Sequence, residues 1–292
     1  MKERVARVVD DSPEVNSADI DAHSRWSAHL HLNFALRFGS TALVGRSHKG
    51  PLRVQKPFFP EDGACHVYLL HPPGGLAGQD QLDMDIDVAA GAKVLLTTPA
   101  SSKVYRSAGQ QTQITQHLRV ASGGSLDWLP QDTILFGGSR YHQTTQIHLA
   151  VDSRFLGWDI FSLGRPSSDD HYAQGQFGQL LEVSIDRRLQ LRERLAFSAE
   201  DEMLNAAWGL QGYRALGILL AHPATQIEVE KLRDHIDRAW KGVGVTLLDE
   251  LLVVRALGPS ANYVQACLTE LWCLLRPRVA HMQPVLPRVW AT

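Results

Sequence analysis

From His29 onward the chain alternates. In HLHLNFALRF, residues Leu30, Leu32, Phe34, Leu36 and Phe38 occupy every second position. That is the two-residue period of a strand with one buried face. QLDMDIDV repeats the pattern more sharply, with Leu82, Met84 and Ile86 on one face and Asp83, Asp85 and Asp87 on the other. AAGA then reads as a turn and KVLLTT as a return strand. Further short strands are predicted in TQITQHLRV, SLDWL, TQIHLAV, LEVSI, RRLQLRERLAF and VGVTLLDELLVVRAL. Turns with Gly, Pro and Ser recur between them, so the pattern predicts a large, mainly β architecture.

Helical spacing is concentrated in the last third. MLNAAWGLQGYRALGILLA places Leu204, Trp208, Tyr213, Leu216, Leu219 and Leu220 at helical intervals, although its glycines weaken the pattern. IEVEKLRDHIDRAWKG follows Thr225 as a candidate cap. SANYVQACLTELWCLLRPR starts at Ser260, a candidate N-cap, and puts Val264, Cys267, Leu268, Leu271, Leu274 and Leu275 on one side. Pro277 is expected to end it. Residues 1–24 are polar and aperiodic, which predicts a flexible N-terminal tail. No internal repeat or linker is visible after it, so residues 25–292 read as one domain.

Composition narrows the function. The 292 residues carry a net charge of −2, with 44% hydrophobic and 21% charged residues. That balance is globular, and no basic excess is available for the phosphates of nucleic acid. No apolar run is long enough to span a membrane, and the N-terminal stretch lacks the apolar centre of a secretory signal. Three cysteines (Cys65, Cys267 and Cys273) are too few for a disulfide framework. A cytoplasmic protein is the expectation. GxSxG, a P-loop, GxGxxG, HExxH and CxxC are all absent. A β-rich hydrolase using acids near the HPPGG segment is the enzymatic alternative.

Residues 50–86 are dense in unusual residues. Pro57 and Pro60 bracket two phenylalanines, and His66 and His71 flank an apolar strand. Pro72, Pro73, Gly74 and Gly75 then impose a tight bend. The segment PLRVQKPFFPE…CHVYLLHPPGGLAGQD resembles the signature of the urease accessory protein UreD (UreH) family. Four more segments are similar in register: LLTTPASSKVYRS at 95–107, LDWLPQDTILF at 126–136, FLGWDIFSLGRP at 155–166 and VLPRVWAT at 285–292. There are two departures. Gln79 stands where the family usually has a second glycine, and Ser167, Ser168, Asp169 and Asp170 occupy a region where it tends to have Gly-Glu.

The resemblance implies a non-enzymatic scaffold of urease maturation with a β-helix-like stack of short strands and a few helices in the C-terminal third. It implies binding to the urease structural subunits and to the accessory proteins F and G, G being a GTPase. It implies transient Ni(II) passing inward along a polar internal route, with no tightly bound cofactor. Its motifs nominate Asp80, Ser102, Asp159 and Glu193 as passage lining. They nominate Pro72, Pro73, Gly74, Gly75, Lys103, Tyr105 and Arg165 as structural residues of the signature segments. Plainer roles stay open: a turn cap for Asp80, a buried hydrogen-bonded acid for Asp159, a strand end for Ser102 and a cross-strand ion pair for Glu193. His66, His71 and Glu61 are weaker metal candidates. The row Asp83, Asp85, Asp87 spans too far along a strand to share one ion and reads as a solvated face. Carboxylate and imidazole suit a divalent ion of intermediate hardness, and sparse ligands keep its binding weak. No tight metal site is predicted. Exposed docking surface, with Trp290 as one candidate, predicts some self-association.

Overall fold

The structure is a computed structural model that describes residues 27–291, so the expected tail over 1–24 lies outside the described residues. In chain order the strands begin with β1 (Ser27–Arg37), β2 (Ser40–Lys49), β3 (Arg53–Val54), β4 (Cys65–Leu70), β5 (Gln81–Val88) and β6 (Lys93–Thr97). Next come β7 (Ser102–Val104), β8 (Thr112–Val120), β9 (Ser125–Leu129), β10 (Thr133–Leu135), β11 (Arg140–Leu149) and β12 (Arg154–Leu163). The chain continues with β13 (Gln176–Ile185), β14 (Arg188–Ser198), β15 (Ala215–His222), helix α1 (Gln226–Ala239), β16 (Val243–Leu248), β17 (Leu251–Gly258) and helix α2 (Ala261–Val279).

From β4 to β13 the chain passes repeatedly between two sheets, while β1-β2, β13-β14 and β16-β17 fold back as antiparallel hairpins. One sheet runs β14-β13-β11-β8-β5-β1-β2, and a second runs β16-β17-β15-β12-β9-β6-β4-β3, with β10 and β7 attached beside β12. Strands β1, β5, β8, β11 and β13 are parallel neighbours, as are β4, β6, β9 and β12. The chain therefore winds as a solenoid, as expected of a β-helix-like stack. Stacked partners lie 32 residues apart from β6 to β9, as Thr97 and Leu129 do, and 29 apart from β8 to β11, as Gln116 and Thr145 do, while the outer steps from β1 to β5 and from β11 to β13 are longer. This repeat has no counterpart in residue identity, because only the alternation must recur for the coils to stack. For the same reason KVLLTT is not a return strand. β6 pairs with β4 and β9 in the second sheet, and β5 pairs with β1 and β8 in the first.

Alternation sends Leu30, Leu32, Phe34, Ile86, Leu118 and Val183 into a core shared with Val67, Leu96, Trp128 and Phe161 of the second sheet. The other face of the second sheet, including Leu95, Leu156, Trp158 and Leu219, packs against α1 and α2. Thr225 and Glu228 form a full capping box at α1, and Ser260 accepts the Tyr263 amide at α2. α2 runs two residues past Pro277, its last turn held by buried Arg276 and Val279. Leu274 is exposed, not buried.

The segment 203–221 is not a helix. A 3-10 turn covers Glu202–Leu204, left-handed Gln211 and Gly212 break the chain, and ALGILLAH forms β15, buried along its whole length. A strand covered on both faces is apolar at every position, and such a run matches helical spacing as well as strand spacing. VGVTLLDELLVVRAL is two strands, turning at left-handed Asp249.

Candidate functional site

Where alternation should place only apolar residues between the sheets, five polar ones intrude. Gln116 lies in phase with Ile114 and Leu118, Gln143 and Thr145 with Tyr141 and Ile147, and Gln179 with Phe177 and Leu181. Asp159, from the facing sheet, is in phase with Phe161. All five are buried, and burial at this depth requires hydrogen-bond partners. Parallel register supplies them by setting Gln116 beside Thr145 and Gln143 beside Gln179. Gln143 Nε2 donates to Asp159 Oδ2 at 2.7 Å and Gln179 Nε2 donates to the same oxygen at 3.2 Å. Gln143 also donates to Thr145 Oγ1 at 3.0 Å and accepts from the Tyr141 hydroxyl at 2.5 Å. Thr145 donates to Gln116 Oε1 at 3.1 Å. Burial pushes the Asp159 carboxyl up to about 7, against the pull of the Gln143 and Gln179 amides. The three glutamines were missed in the sequence. Their signal was a polar residue in the apolar phase of a strand.

Two cavities meet at this network. The inner one, about 80 Å³, is lined by Asp159, Gln143, Gln116, Ser102 and His71. The outer one, about 220 Å³, is lined by Gln179, Glu193, Arg255 and Trp208. Gln179, which lines the outer cavity and bonds Asp159 of the inner one, joins the two. Both are roomy and polar enough for water. Ser102 and Asp159 thus share one cavity and Glu193 lies on the next. Glu193 pairs with Arg255, whose Nε donates to Oε2 at 2.9 Å, while Arg192 pairs with Glu182 instead. Asp80 caps its own turn by accepting the Ala77 amide at 2.8 Å. It also acts electrostatically on His71, whose imidazole burial holds below its ordinary range despite that neighbour. His71, Ser102, Asp159, Gln179 and Glu193 thus give a polar line through the two adjoining cavities, and Asp80 acts on His71 from the turn beside them without lining either cavity.

The other candidates lie off this line. Glu61 is exposed in the turn before β4. His66 faces the helix side, where its Nε2 donates to Asp62 Oδ2 at 2.9 Å and Arg276 donates to Asp62 at 2.7 Å and to Asp127 at 3.0 Å. Burial opposes the Asp62 charge, yet its bonds to His66, the Ala64 amide and Arg276 hold it at about 2. A guanidinium already supplies the positive charge there. On the outer face of the first sheet, Asp85 and Asp87 pair with Arg119, and Asp87 also with His31. Among the described residues no three His, Cys, Asp or Glu side chains are placed to hold a metal ion.

The signature segments converge on each other. His71-Pro72-Pro73-Gly74 is a turn closed by the Gly74 amide on the His71 carbonyl, with Gly74 at φ 75°. Gly75 lies under the Tyr105 ring, 2.3 Å from where a Cβ would sit. Leu76 then bonds the Lys103 carbonyl, while the Lys103 side chain is exposed. Tyr105 meets Phe136 edge-on, and Arg165 covers the Phe136 ring at 3.8 Å. Asp170 anchors this corner by accepting the Gly137 and Tyr172 amides and by pairing with Arg165. Gln79 has φ 75°, a conformation that a glycine adopts without strain. Trp290 is not free docking surface: it packs on Trp158 and donates to Thr97 Oγ1 at 2.9 Å.

Comparison with known proteins agrees with this picture. The profile of the UreD urease accessory protein family matches residues 27–291. The urease accessory protein UreD of Alkalilimnicola ehrlichii is 44% identical over 270 residues, covering 91% of this chain and 92% of that protein. That of Alcanivorax borkumensis is 39% identical over 283 residues, covering 95% and 96%. That of Klebsiella aerogenes is 40% identical over 270 residues, covering 91% and 97%. These matches overturn the hydrolase alternative. The chain belongs to the UreD family of urease accessory proteins, which serve urease and are not themselves enzymes.

Proposed function

We propose that this chain is a cytoplasmic scaffold that binds apo-urease and the accessory proteins F and G, and that Ni(II) crosses it along the polar line between the sheets. The observation that carries the reading is the Asp159 network. A carboxylate and three amides are buried together where packing alone calls for hydrocarbon. Such a network is worth its desolvation when polar cargo must pass.

The chemistry suits transfer. Each station offers one or two oxygen or imidazole ligands, so water completes the shell and binding stays weak. Asp159, with its carboxyl near 7, exchanges a proton for a cation at neutral pH instead of holding a permanent charge. Amide oxygens of Gln116 and Gln143 solvate the ion without adding charge.

The test is nickel per urease active site, with urease activity, in cells expressing the cognate urease and the other accessory proteins. The strains would contain the chain, lack it, or carry Asp159→Asn or Asp80→Ala. Apo-urease with several-fold less nickel is expected without the chain and with Asp159→Asn, while the Asp159→Asn protein still co-purifies with urease. Full nickel loading without the chain would overturn the maturation role. Full loading with Asp159→Asn would overturn the passage.

A further inference from the structure

The two cavities differ in charge. Asp159 meets only neutral donors in the inner one. In the outer one, Glu193 is the only carboxylate among the lining residues and Arg255 the only guanidinium. Arg255 places both Nε and Nη2 on one oxygen of Glu193, Oε2. The pair bridges the sheets, since Glu193 comes from β14 and Arg255 from β17. It is not a core fastener, because the two side chains are 30% and 47% exposed. A pair so exposed adds little to stability and opens at little cost.

We propose that Arg255 is the release residue of the outer cavity: its guanidinium neutralises Glu193, so that a divalent cation reaching this end is passed on and not retained. The inference rests on the passage reading above and assigns a role to a residue outside the signature segments. A passage lined with uncompensated carboxylates throughout would hold its cargo at every station. Here the carboxylate of the outer cavity is matched by a cation of the protein's own, and the arriving ion must compete with it. The apolar lining from Leu216, Ile218 and Leu257 offers no other ligand. Gln179, shared with the Asp159 network, is the last neutral donor before that competition.

The experiment is equilibrium dialysis of the purified full chain against Ni(II) at fixed ionic strength, with circular dichroism melts as a fold control. Arg255→Gln frees the Glu193 carboxylate. It is expected to tighten one nickel site at least about fivefold, the factor that one charge pair roughly 4 Å apart is worth even in bulk water. Arg255→Lys keeps the charge and is expected to bind as the parent does. The double variant Arg255→Gln, Glu193→Gln is expected to lose the gain. Arg255→Met, which keeps the aliphatic stem, repeats the charge loss if the glutamine variant does not fold. Unchanged or weaker binding in the charge-loss variants would overturn the proposal, as would equal tightening with lysine. Normal nickel delivery by Asp159→Asn in cells would instead remove the passage itself, which keeps the two failures apart.

Discussion

At the scale of single residues, Asp159 is the most consequential side chain. Its folded carboxyl keeps its proton up to about 7, whereas the ordinary value is 3.8. Between those values the folded chain binds more protons than the unfolded one. Stability therefore falls as pH rises through this window, by at most about 1.4 kcal/mol per pH unit, and levels off above about 7. Asp159→Asn removes that slope. Urea melts at pH 5, 6, 7 and 8 are expected to show the variant gaining on the parent as pH rises; parallel profiles would mean that Asp159 is charged throughout. The anomaly of an acid in an apolar phase is legible in FLGWDIF. What it bonds is not, because Gln143 and Gln179 lie on strands of the other sheet. Gln79 is the opposite case: a departure visible in the sequence that resolves into a left-handed residue bearing a side chain.

At the scale of elements, local rules worked where the element has one buried face. β5 and β8 follow the alternation, as does β1 as far as Phe34 (Leu36 and Phe38, expected on the buried face, are exposed where β1 runs out of the core), and α1 and α2 begin at the expected caps. They failed at β15, which is covered by the first sheet on one side and the helices on the other. The signature loop shows why HPPGG has its glycines: Gly74 turns with positive φ and Gly75 makes room for Tyr105. Gly75→Ala is expected to push the Tyr105 ring off Phe136 and cost about 1–3 kcal/mol in a denaturant melt. The same substitution in a Tyr105→Ala background should cost much less, since the two sites are in contact. Equal costs in both backgrounds would refute the contact.

At the scale of the whole molecule, one buried group ties the layers together. Arg276 of α2 reaches Asp127 of β9, Asp62 before β4 and the Gln283 carbonyl near the C-terminus. Its guanidinium and both carboxylates are fully buried. Arg276→Met would leave two carboxylates without their cation, at a cost of roughly 3–5 kcal/mol. Much lower soluble yield and faster proteolysis are the expected result. A melt within about 1 kcal/mol of the parent would show that the pairs contribute little net stability. Trp290, closing on Trp158 and Thr97, secures the chain end to the same side.

Sequence alone determined most strands and both helices that have one wet face, though not β2, together with the mainly β class and, through five long motifs, the family. These follow from local periodicity, caps and residue identity, all contained in a short window. Tertiary structure decided the rest. It set which sheet each strand joins, the coil spacings of 32 and 29 residues, the strand at 215–222 and the ion pairs of Arg276 and Arg255. It also decided that Ser102 and Asp159 share one cavity, that Glu193 lines the next, and that Asp80 caps a turn beside them. The physical reason is register. Side-chain period says which face a residue takes, but only the stacking of distant strands says what it faces.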